Sequence, residues 1–263
     1  MRGILAIYRR ELQSYFVSPI AYIVIGVFLV LCGLFFYRLM NDVIQYGFQM
    51  QMQGMRGGMP PQDFDMPGII LRSSLGLVST FILFMIPMLT MGLYAGERRQ
   101  GTMELLMTSP ITELQIVVGK FLATFTLFIV MIAPTFLYHV ALRFVSEPKL
   151  PWKVILSGYL GTLLLGGALI ALGAWLSSLT ENQIIAAIST FGAFIVLLIV
   201  DRLISDSTSK AGETLQYLSI LRHFEDFTKG VIDTTSLIYY LSVIVLGLFL
   251  TLRTLDSMRW RRA

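Results

Sequence analysis

Six stretches of this chain contain no Asp, Glu, Lys or Arg: 12–37, 73–96, 121–142, 154–180, 182–200 and 234–252. A helix needs roughly 20 apolar residues to cross a hydrocarbon core, and each stretch meets or approaches that length. Backbone groups in lipid must satisfy their hydrogen bonds within the segment, so runs of this kind become helices. The balance of the chain agrees: 56% of residues are hydrophobic and 14% charged, with mean hydropathy +0.74, whereas soluble domains carry about 25% charged residues. The reading is an all-α integral membrane protein with six transmembrane helices, at 19–37, 73–96, 113–142, 153–179, 182–204 and 234–253. They form a single transmembrane domain over 1–263, with nothing left over for a soluble catalytic domain.

The charges that remain set the topology. An even number of spans puts both termini on one side. Arg2, Arg9 and Arg10 precede the first span, and Arg253, Arg259, Arg261 and Arg262 follow the last. Bases close to span ends face the cytoplasm, so both termini are expected there, together with Arg98, Arg99 and Lys120. The N-terminal run is too long for a signal peptide and lacks a small-residue cleavage site. Residues 1–18 read as an amphipathic entry helix: Ile4, Leu5, Tyr8, Leu12, Tyr15 and Phe16 share one face, and Arg2, Arg9, Arg10 and Gln13 the other. Such a helix lies in the membrane interface with its arginines toward anionic headgroups; gripping a partner is the functional alternative.

Residues 38–72 read as an outer loop, rich in Gln, Gly and Met. Its methionines (Met40, Met50, Met52, Met55, Met59 and Met66) could bind Cu(I), but Gly57-Gly58 and Pro60-Pro61 break any regular ligand spacing, which favours a mobile, adaptable loop. Pro87 and Pro134 fall inside the second and third spans, where a missing backbone donor kinks a helix. Thr112-x-x-Gln115 has the form of a capping box and starts the third span. In the fourth span Gly167, Ala171, Ala174 and Ser178 recur on one face, a row that permits close helix packing, within the chain or across a dimer seam. Only Thr180-Glu181-Asn182 separates the fourth and fifth spans. Residues 201–233 alternate apolar and charged positions, as one or two amphipathic helices on the outer face would.

No nucleotide-binding loop, H-E-x-x-H, G-x-S-x-G or G-x-G-x-x-G pattern occurs. His139 and His223 have no Cys partners. His139 is expected as a satisfied histidine near the outer end of the third span. The one cysteine, Cys32, reads as a small core residue. No metal site, bound cofactor or nucleic-acid partner is expected. The span interiors carry no ionisable group of the kind that forms a proton or ion relay. If the chain moves anything, the energy must come from a separate protein.

One segment is suited to meeting such a protein. Residues 97–111, between the second and third spans, hold Glu97, Arg98, Arg99, Gly101, Thr102, Glu104, Leu105 and Leu106. A charged, turn-broken, briefly helical hairpin at a membrane face suits a soluble partner better than lipid. The segment resembles the cytosolic coupling segment of ABC-2-type (type V) exporter permeases, whose pattern runs roughly E-R-x-x-G-T-x-E-x-L-x-[ST]-[SP]. Gly119-Lys120 adds to the match. His223-Phe224, Lys229-Gly230-Val231-Ile232-Asp233 and Arg259-Trp260 resemble the gliding-motility branch of that family.

The resemblance implies a permease subunit in the bacterial inner membrane. Two permease copies, the same or related, would pair with two cytosolic ATPase subunits that bind ATP and Mg. A periplasmic or auxiliary membrane protein is a further possible partner, and membrane lipids surround the whole. The coupling segment would dock on the ATPase. The path between protomers, lined by the second and fifth spans, would narrow at an apolar gate, for which position nominates Phe84, Met88, Phe191 and Phe194. A membrane anchor that moves a partner protein without transporting a solute is the competing reading.

Overall fold

The computed structural model describes residues 2–57, 65–103, 111–205 and 219–260. Among these the elements are all helical: α1 (Arg2–Val17), α2 (Pro19–Gly57), α3 (Met66–Thr90), α4 (Ala95–Arg99), α5 (Glu113–Val145), α6 (Trp152–Ser178), α7 (Gln183–Ser205), α8 (Ile220–Thr228) and α9 (Thr234–Trp260). Five helical stretches are long and apolar enough to cross a membrane, and the apolar part of α7, Gln183–Ile199, is shorter. The fold is that of a multi-pass membrane protein.

Helix α6 is the hub, packed against α3, α5, α7, α8 and α9. Its small residues let neighbours approach closely. Gly167 and Ala171 lie against Ile244 and Gly247 of α9. Ala171, Ala174 and Ser178 are buried within the single chain, so this row is used for packing inside the molecule. Leu71, Leu75, Ile82 and Ile86 of α3 and Phe128 of α5 complete the central core.

The stretch 38–72 is not an outer loop. Helix α2 continues unbroken to Gly57, and α3 already begins at Met66. Residues 38–52 are mostly Gln, Met, Leu and other residues that tolerate a helix, with one glycine and no proline, so nothing in them ends α2. At the other end Asp65 caps α3, its Oδ1 accepting from the Gly68 amide at 3.0 Å. Helix α5 begins where expected, but the Thr112 side chain makes no cap hydrogen bond. Gln115, the expected partner, instead lies against Gly3 of α1.

Both amphipathic helices are tied to the bundle. The apolar face of α8 packs on α6, where Ser157 Oγ donates to the Phe227 carbonyl at 2.8 Å. Tyr240 of α9 donates to the Ile220 carbonyl at 2.6 Å. Helix α1 docks along the first half of α5, while Leu5 and Phe16 stay exposed on its far side. Gly119 makes that docking possible, because a Cβ there would stand 2.9 Å from Ile7.

Candidate functional site

Helix α3 stops at Thr90 and the chain turns through Met91–Tyr94 before α4. The break exposes backbone groups that one hydroxyl satisfies. Ser177 Oγ of α6 donates to the Met91 carbonyl at 3.0 Å and accepts from the amides of Tyr94 and Ala95, both at 3.3 Å. The start of α4 is thereby fixed to the end of α6.

The next residue along α4 ties it to two more helices. Lys120 of α5 has a side chain only 2% exposed. Its Nζ lies 2.9 Å from Glu11 Oε1 of α1 and 3.1 Å from Glu97 Oε1 of α4. The Tyr94 ring stands beside the same ammonium, 5.6 Å from Nζ to its centroid. Arg10 approaches Glu97 Oε1 from the exposed side at 3.8 Å. Glu97 Oε2 is buried with no hydrogen-bond partner among the described residues. A solvated Glu97 at the water interface, which the position after Gly96 suggested, is therefore incorrect: its side chain is 12% exposed and forms a buried ion pair. Tyr15 of α1 continues the contact, its hydroxyl 3.0 Å from Thr124 Oγ1. Burial pushes its phenol well above the ordinary range, so it is protonated and available for that bond.

Arg98 turns the other way. Its Nη1 donates to the Ser178 carbonyl at 3.0 Å and its Nη2 to Glu181 Oε1 at 2.7 Å. A cation on the last carbonyls of α6 is favoured by the helix dipole. Arg99 is exposed and, with Glu181, Asn182 and Ile184, lines an open cleft of about 420 Å³. Gly101 takes φ +69°, a backbone conformation that disfavours other residues. Thr102 Oγ1 folds back to the Glu97 carbonyl at 3.3 Å, and Met103 is buried with Ile7, Tyr94 and Ile116. Glu104, Leu105 and Leu106 lie outside the described residues.

The residues nominated as a gate divide. Phe84 of α3 and Phe191 of α7 meet with ring centroids 5.1 Å apart. Phe84 and Met88 are each 48% exposed on the outside of the chain, whereas Phe194 is buried in its core. His139 is buried, and its surroundings fix the direction of a hydrogen-bond chain. Thr135 Oγ1 donates to the Ile132 carbonyl and so accepts from the Tyr159 hydroxyl at 2.9 Å. Tyr159 can then accept from His139 Nδ1, also at 2.9 Å. Nε2 is left to Ser74 Oγ at 2.6 Å. The expectation of a satisfied histidine is met, deeper in the protein than an interface. His223 is likewise buried, 2.9 Å from Ser236 Oγ and stacked on Tyr239. Among the described residues no group of three or more His, Cys, Asp or Glu could hold a metal.

Sequence reasoning missed Glu11 and the burial of Lys120. A signal existed. Glu11 falls at helical spacing with Ile4, Ile7, Tyr8 and Tyr15, an acid on an apolar face that needs a buried partner.

Comparison with known proteins agrees with this geometry. A model of the family described as ABC-2 family transporter protein matches residues 5–255. The protein called "Probable multidrug ABC transporter permease YbhR" in Escherichia coli strain K12 is 25% identical over 177 residues, and the same holds for its counterpart in strain O157:H7. The match covers 64% of this chain and 45% of each relative, so the chain spans less than half the length of these relatives. With a family match over nearly its whole length and a helical membrane fold around a braced interhelical segment, the chain belongs to the ABC-2 transporter family.

Proposed function

We propose that this chain is the permease subunit of an ATP-driven exporter and that segment 97–111 docks a separate cytosolic ATPase. The observation that carries this reading is the bracing of α4. Through Glu97 it holds Lys120 of α5, which also binds Glu11 of α1. Through Arg98 it holds the α6–α7 turn. A push on the exposed part of the segment is therefore passed at once to α1, α5, α6 and α7. In this reading α2, α3, α5, α6, α7 and α9 are six spans of the bacterial inner membrane, with both termini cytoplasmic. Two ATPase subunits bind ATP and Mg, and two permease copies enclose the path. Phe84, Met88 and Phe191 face that path, and the cargo is lipophilic or amphipathic.

The test is reconstitution with the cognate ATPase. The purified chain alone is expected to hydrolyse no ATP, and the mixture is expected to form a complex with stimulated hydrolysis. Arg99 is exposed and outside the buried ion pairs, so Arg99→Glu should keep normal membrane yield. Its reversed charge should weaken ATPase capture about tenfold, equivalent to ~1.4 kcal/mol. Hydrolysis by the chain alone, or unchanged capture and coupling in both Arg99→Glu and a variant with 104–110 replaced, would overturn the proposal.

A further inference from the structure

Helix α2 is longer than a membrane requires. Its 39 residues extend about 58 Å, against a hydrocarbon core of about 30 Å. The excess is at the C-terminal end, where Arg38 and Asp42 form an exposed ion pair at 3.8 Å and mark the return to water. Beyond them the helix still exposes large apolar side chains: Ile44 is 49% and Phe48 61% exposed. In water this surface lacks the lipid that would cover it within a bilayer.

The exposed positions are ordered. Val30, Leu34, Tyr37, Asn41, Ile44 and Phe48 follow one another at spacings of four and three. This is the 3.5-residue repeat by which two helices supercoil. The opposite side of α2, through Phe28, Cys32 and Val43, is buried in the chain's own core, so the seam looks outward. Its members are neutral and compatible with themselves, and Asn41 is a single polar residue at a core position, a device that fixes register.

We infer that the outer half of α2 is an interaction surface for a second copy of this chain, the two α2 helices pairing in parallel along this seam. The bilayer supplies the register. Two copies inserted in one orientation project the same helix to the same height, so Ile44 meets Ile44 and Phe48 meets Phe48. A different partner would need a helix of matching length, direction and depth. The inference rests on the reading of the chain as one of two permease copies and adds where they meet.

Single cysteines in a Cys32→Ala background test it. Ile44→Cys and Phe48→Cys lie on the seam; Tyr46→Cys and Gln49→Cys are exposed on the same helix but off it. Membranes holding the ATPase-bound complex, with two differently tagged copies, are treated with a short bis-maleimide. Positions 44 and 48 are expected to yield several-fold more cross-tagged dimer than 46 and 49. Equal yields at all four positions, no dimer at 44 and 48, or adducts to a different protein would each overturn the seam. ATPase stimulation in the same membranes separates the two readings: a stimulated complex without seam cross-links sinks the seam and leaves the permease proposal standing.

Discussion

Lys120 carries its charge into a place where water cannot follow. Removing two or more charges from water costs several kcal/mol per ion, and close pairing must offset it. Two carboxylates share the one ammonium, so the members are not equivalent. Lys120→Met leaves Glu11 and Glu97 buried, alike in charge and without their cation, which should cost ~3–5 kcal/mol. Glu97→Gln leaves Lys120 paired with Glu11 and should cost only ~1–2 kcal/mol. Thermal unfolding and membrane yield of the two variants measure the difference, and equal losses would mean that Glu11 does not hold the ammonium by itself. The importance of Glu97 was legible from its place between spans; its solvation was not. Glu11 and Lys120 are 109 positions apart, and nothing local announces that α1 folds back onto α5. The acid on α1's apolar face was the available clue.

At the scale of elements, period and composition revealed which stretches are helices, and turn chemistry revealed their ends less well. Helix α2 was taken to stop with its apolar run, although hydropathy reports the solvent and not the backbone. A polar helix that leaves the bilayer looks like a loop when only apolar length is counted. The start of α3 was marked in the sequence by Asp65-Met66-Pro67, an N-cap followed by an early proline. Asp65→Ala should therefore cost ~1 kcal/mol and fray the first turn of α3, visible as faster amide exchange there with the rest of the helix unchanged. The α1–α5 contact was not legible, because it depends on a close approach at Gly119. Gly119→Val places branched atoms where Ile7 and the Ile4 carbonyl stand. Overpacking of this kind typically costs ~1–3 kcal/mol. Protease cleavage within α1 should become faster in that variant, and an unchanged rate would show that α1 is held by its ion pairs alone.

In the whole molecule, Ile7 of α1, Leu93, Tyr94, Met103 and Leu255 of α9 belong to one buried cluster. Both ends of the chain and the segment after α3 are therefore at the same end of the bundle. The charge pattern had suggested that grouping, and packing now supports it through contacts that sequence could not display. Labels at Arg2 and Arg262 should be reached from the same side as a label at Arg99, and from the cytoplasm. Labelling of either terminus from outside the cell would reverse the topology. The same grouping has a mechanical meaning. Helix α4 is clasped at two points, by Lys120 on one side and by Arg98 on the other, so the helices it touches are held at their bases, like oars in rowlocks. Motion of a rod held near one end is rotation, and rotation grows with distance. Helix α5, with 33 residues, is about 50 Å long. A tilt of about 5° at its base carries the far end roughly 4 Å, within the range of known helix shifts and rotations. Sub-ångström adjustments around Glu97 are then enough to open or shut contacts on the opposite side of the membrane.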